Sequence, residues 1–134
     1  MASQAKILVI DDDKVLVNAT KTVLESQKYQ VITAYDGDEG LKKAKEEKPD
    51  LIILDIIMPT KDGFKVCEQI KGNPVMADIP VLIMTSFASQ KGTTNIPVSA
   101  GFGLEAEGYI DKPVSPTELL SRVEKMLKNA SARK

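Results

Sequence analysis

The chain has 134 residues, enough for one domain with its own core and too few for two. A net charge of −1 gives no electrostatic case for nucleic acid or an anionic membrane as partner. No apolar run approaches the roughly 20 residues of a membrane span. The absence of histidine excludes His-based catalysis, His metal ligands and a phosphohistidine on this chain. The one cysteine, Cys67, excludes an internal disulfide and fits a reducing compartment. The start, Met1 to Lys6, lacks the apolar stretch of a secretory signal, so a cytoplasmic location is expected.

The first strand is predicted at Ile7-Leu8-Val9-Ile10, ending in Asp11-Asp12-Asp13. Asp13 reads as the N-cap of a helix that presents Leu16, Ala19, Val23 and Leu24 on one face until about Gln27. Val31-Ile32-Thr33-Ala34 reads as the second strand and Asp36-Gly37 as a turn. A polar helix follows, with Leu41 and Ala44 inward, and it must end before Pro49. Leu51-Ile52-Ile53-Leu54-Asp55 is the most informative stretch. Four consecutive apolar residues mark a parallel strand covered on both faces, and Asp55 stands where it leaves the core. Taken alone, Asp55 reads equally well as the cap of the next turn.

Asp62-Gly63 opens a third helix carrying Phe64, Cys67 and Ile70, with Cys67 read as core, and Gly72-Asn73-Pro74 closes it. The fourth strand is Val81 to Met84, ending at Thr85-Ser86. Between Ser86 and Glu107 the sequence predicts a long irregular segment in place of a full fourth helix. Gly92, Pro97, Gly101, Gly103 and the Thr93-Thr94 pair leave no long periodic window. Gly108-Tyr109-Ile110 is a short fifth strand, ending at Asp111-Lys112-Pro113. The last helix has Ser115 as N-cap, Pro116 at its first position and Glu118 completing a capping box. Its apolar stripe is Leu119, Leu120, Val123, Met126 and Leu127, and the tail 129–134 is expected to fray.

Alternating strands and helices call for an α/β fold, a doubly wound parallel sheet with right-handed crossovers. Strand order 2-1-3-4-5 would make the first and third strands neighbours. Asp11, Asp12, Asp55, Thr85 and Lys112, which all end strands, would then converge. Three clustered carboxylates need cations. A hard divalent ion such as Mg2+ suits them, since it takes one or two carboxylates and keeps several waters. An acid, a metal and a lysine together suit phosphoryl transfer, in which a carboxylate can itself be the nucleophile. Singly, Thr85 reads as a strand-end hydroxyl, Tyr109 as a half-buried strand aromatic and Lys112 as a surface lysine.

Asp11-Asp12, Asp55, Met58-Pro59 with Asp62-Gly63, Thr85 and Lys112-Pro113 resemble, in order and placement, the signature of response-regulator receiver domains of the chemotaxis type. The resemblance covers residues 5 to 128 and implies one flavodoxin-like, five-stranded receiver domain over 1–134. It implies Asp55 as phosphoacceptor, with Mg2+ held by Asp12, Asp55 and the Ile57 backbone carbonyl, and by Asp11 through water. It further implies Lys112 and Thr85 on the phosphoryl group, Tyr109 as the switch aromatic paired with Thr85, and a cis Lys112-Pro113 peptide. The implied phosphate source is a histidine kinase or histidine phosphotransfer protein.

Such a protein is a signalling switch and not an enzyme acting on a separate substrate. With nothing following Lys134, a stand-alone receiver is expected, acting on a downstream protein by contact, without nucleic acid or membrane insertion. Three alternatives fit less well. A Mg2+ phosphatase with an aspartate nucleophile wants an acid where Ile57 stands. A flavin or nucleotide binder wants a phosphate loop where Asp11-Asp12-Asp13 would repel phosphate. A degenerate receiver would not keep the full acid set. Ile57 and Phe87 are expected to border the approach of hydrolytic water to the phosphorylated aspartate. Both are bulky and apolar, which predicts slow self-dephosphorylation.

Overall fold

The computed structural model describes residues 5–55, 63–85, 108–111 and 115–132. Five strands form one sheet: β1 (Lys6–Ile10), β2 (Gln30–Ala34), β3 (Leu51–Asp55), β4 (Val81–Thr85) and β5 (Gly108–Asp111). Their order is β2-β1-β3-β4-β5. Every pairing is parallel: Ile7 to Ile10 on β1 face Val31 to Ala34 on one side and Leu51 to Leu54 on the other. Four helices are described, α1 (Lys14–Glu25), α2 (Gly37–Glu47), α3 (Gly63–Lys71) and α4 (Pro116–Ala132). The segment predicted to be irregular lies outside the described residues.

The sheet is buried on both faces, which is why its central strands read as unbroken apolar runs. Leu8, Ile10, Ile52, Leu54 and Ile83 pack on one face with Val66, Cys67 and Ile70 of α3 and Ala44 of α2. Ile7, Val9, Ile53, Leu82 and Met84 pack on the other with Val17 and Leu24 of α1 and Leu119, Val123 and Met126 of α4. Each fully buried aliphatic side chain contributes on the order of 1.5–3 kcal/mol to holding these layers together. Cys67 is buried in the core, as its spacing suggested.

The helix starts follow the capping chemistry of the sequence. Asp13 Oδ1 accepts from the Val15 and Leu16 amides at 3.1 and 3.2 Å. Asp36, read as a turn residue, caps α2 by accepting from the Glu39 amide at 2.8 Å. Ser115 Oγ accepts from the Glu118 amide at 3.1 Å.

One detail differs from the sequence reading. On α1 the buried residues are Val17, Thr20 and Leu24, whereas Ala19, expected inward, is exposed. The pairs Leu16-Val17 and Val23-Leu24 each allow two registers, and a buried threonine gives no apolar signal. Helix α4 runs to Ala132.

Candidate phosphoryl-transfer and metal site

The site lies at the C-terminal ends of β1 and β3. The Asp11 amide donates to the Ala34 carbonyl at 3.1 Å, extending the β1–β2 ladder by one residue and fixing the backbone as it leaves the sheet. Asp11 is buried, and its Oδ1 accepts from the Asp13 amide at 3.0 Å. Asp13 spends its own carboxylate on the start of α1. It is a cap, as predicted, and stands apart from the acid cluster. Asp55 is the last residue of β3 and is only 4% exposed, whereas Asp12 is exposed.

These three acids meet. Asp11, Asp12 and Asp55 each offer a carboxylate oxygen, and the three oxygens lie within 4.8 Å of one another. At that 4.8 Å limit, two ionised carboxylates repel by about 3 kcal/mol at an effective dielectric of roughly 20. A multivalent cation relieves that repulsion. Two buried acids and one exposed one suit a hard cation that keeps part of its water shell, since oxygen donors of this type favour Mg2+ or Ca2+ over softer metals.

The neighbouring strands bring the other sequence-marked positions toward this end of the sheet. Asp55 is in register with Met84, so Thr85 ends β4 one residue further along. Thr85 is in register with Asp111, which directly precedes Lys112. Tyr109 lies on β5 opposite Ile83. Thr85 and Tyr109 are placed by backbone alone. Ile57, Phe87, Lys112 and the Lys112-Pro113 peptide lie outside the described residues.

One neighbour of the site was not evident from the sequence. The Lys14 ammonium stands over the Tyr35 ring, 5.4 Å from its centroid. Tyr35 immediately follows β2, whose last residue, Ala34, accepts from the Asp11 amide.

The family is that of the response regulator receiver domain, whose model matches residues 7–124. This chain belongs to it. In these domains phosphoryl transfer is general, Mg2+ binds at an acidic aspartate cluster, and the domain acts as a signalling switch. The alkaline phosphatase synthesis transcriptional regulatory protein PhoP of Bacillus subtilis is 41% identical over 125 residues, 93% of this chain and 49% of that protein. The DNA-binding dual master transcriptional regulator RpaA of Synechocystis is 37% identical over 123 residues, 92% of this chain and 49% of that protein. The chain therefore spans about half the length of the curated relatives it matches. Among solved structures, a CheY-like receiver domain protein from Methanospirillum hungatei has a TM-score of 0.82 at 30% identity, covering 98% of this chain and all of that one. The chemotaxis response regulator CheY4 of Vibrio cholerae has a TM-score of 0.78 at 30% identity, covering 91% of this chain and 98% of that one. No helix among the described residues is long and apolar enough to cross a membrane.

Proposed function

We propose that this receiver accepts a phosphoryl group on Asp55 from a phosphohistidine on a partner protein, a histidine kinase or a phosphotransfer protein. One observation carries the reading: a buried strand-end carboxylate shares a 4.8 Å cluster with two other acids. An Asp55 oxygen attacks phosphorus in line, the P–N bond breaks, and the imidazole leaves with the electron pair. Asp12 and Asp55, with the Ile57 carbonyl, would hold Mg2+ directly, and Asp11 would hold it through water. When bound, the ion supplies neutralisation of the charge gathered on the phosphoryl oxygens. Lys112 would pair with one phosphoryl oxygen. Thr85 would donate to another, and with Tyr109 would pass the change to the surface that contacts the target.

The acid cluster supports a chemical switch over a passive interaction module, since a module has no use for three clustered carboxylates. Incubation with a small phosphodonor, with Mg2+ or with excess chelator, tests this by intact mass. One added phosphoryl group that depends on Mg2+ is expected. Equal labelling in chelator would sink the metal-dependent reading.

The proposal holds for a receiver acting alone through protein contact and for one joined to further chain, as in the longer relatives. An immunoblot of native extract, read against this chain's 14.6 kDa, distinguishes the two. For the receiver itself no nucleic-acid contact is proposed.

A further inference from the structure

Lys14 is the first residue of α1 and stands directly after the cap Asp13. Three peptide bonds separate it from Asp11, so the two Cα atoms are at most about 11 Å apart. The acids of the cluster, Asp11, Asp12 and Asp55, lie within 4.8 Å of one another, and Asp12, two residues before Lys14, is exposed. Among the described residues, however, Lys14 makes no ion pair; its ammonium lies over the Tyr35 ring.

The ring itself is held. Tyr35 is half-buried against the core on the α1 face, and its amide donates to Glu39 Oε1 at 3.0 Å. The other Glu39 oxygen lies 3.4 Å from the Lys43 ammonium. Asp36 and Asp13 are committed to helix caps. The nearby acids outside the cluster thus already have partners, and the tyrosine face is the competing site for this cation.

We propose that Tyr35 holds Lys14 off the acid cluster and thereby keeps the site's affinity for a divalent cation high. This rests on the reading that Asp11, Asp12 and Asp55 bind Mg2+. Removing the ring frees an internal cation to pair with Asp12 and compete with the metal. Removing the lysine as well abolishes that competition.

The test is a Mg2+ titration at constant ionic strength, followed by amide chemical shifts in two-dimensional NMR spectra. It compares wild type with Tyr35→Leu, Tyr35→Phe, Lys14→Ala and the Tyr35→Leu/Lys14→Ala double variant. Leucine keeps apolar packing without an aromatic face, and dispersed spectra report that each variant is folded. Tyr35→Leu is expected to weaken Mg2+ binding about two- to fivefold, the size of one partly exposed ion pair. Tyr35→Phe, Lys14→Ala and the double variant are expected to bind at least as tightly as wild type. Equal affinity in Tyr35→Leu and wild type, or a double variant as weak as Tyr35→Leu, would overturn the inference while leaving the metal site in place. No Mg2+ response in any of the five proteins would overturn both.

Discussion

A Cβ atom added to Gly40 would lie 2.6 Å from Ile10 Cδ1 and 2.8 Å from Ile10 Cγ1. Helix α2 therefore sits on β1 at a distance only glycine permits. The contact falls one residue before Asp11, so it bears on how the acid cluster is held.

Gly40→Ala sets two effects against each other. Alanine gains about 1 kcal/mol of helix propensity. Overpacking against a fully buried, β-branched isoleucine costs typically 1–3 kcal/mol. The cost should win, with a net loss of about 1 kcal/mol in urea unfolding. A more stable variant would show that α2 moves off the sheet freely.

Lys48 caps the end of α2 with a left-handed backbone, φ 49°. A residue with a Cβ pays about 1–2 kcal/mol there. Lys48→Gly removes that strain and gives back part of it as added freedom of the unfolded chain. A net gain of about 0.5 kcal/mol is expected from the same measurement, and a loss would contradict the cap assignment.

Asp13 and Asp12 are adjacent in sequence and differ in role. Asp13→Ala removes a cap with two amide donors and should cost about 1 kcal/mol of stability. It should leave phosphoryl labelling intact. Asp12→Ala should instead weaken Mg2+ binding, and by more than Asp11→Ala does. Because the ion binds the folded state, millimolar Mg2+ should also raise Tm in the wild type. A Tm indifferent to Mg2+, or labelling lost in Asp13→Ala, would count against this division of roles.

The lifetime of the phosphorylated form depends on water in line with phosphorus, opposite the Asp55 oxygen. The family resemblance puts Ile57 and Phe87 at the positions that border that approach, and neither side chain carries a hydrogen-bonding group. A missing contact of about 1.4 kcal/mol in the transition state is a tenfold change in rate. Ile57→Asn combined with Phe87→Glu should therefore speed decay of the phosphorylated protein in Mg2+. Equal or slower decay in the double variant would refute this control of water access.

Much of this architecture was legible in the sequence because its physical causes are local. Buried parallel strands need continuous apolar runs, and the runs of β1, β3 and β4 give way to Asp11, Asp55 and Thr85 at one end of the sheet. Asp13 and Ser115 announced their helices because capping uses a side chain within three residues. What escaped was not local. Thr20 is buried by packing that its own polarity does not signal. Lys71 donates to the Ala77 and Ile79 carbonyls at 3.1 and 2.8 Å, pinning the turn before β4. Both of these acceptors are backbone atoms and carry no sequence mark. Lys14 and Tyr35 meet only because β2 lies beside β1.

The most direct test of the central claim compares wild type with Asp55→Asn after incubation with a small phosphodonor and Mg2+, read by intact mass. The wild type is expected to gain one phosphoryl group that is stable in acid and lost in base, and Asp55→Asn to gain none. Full labelling of Asp55→Asn would contradict the account, because the phosphoryl group would then sit elsewhere.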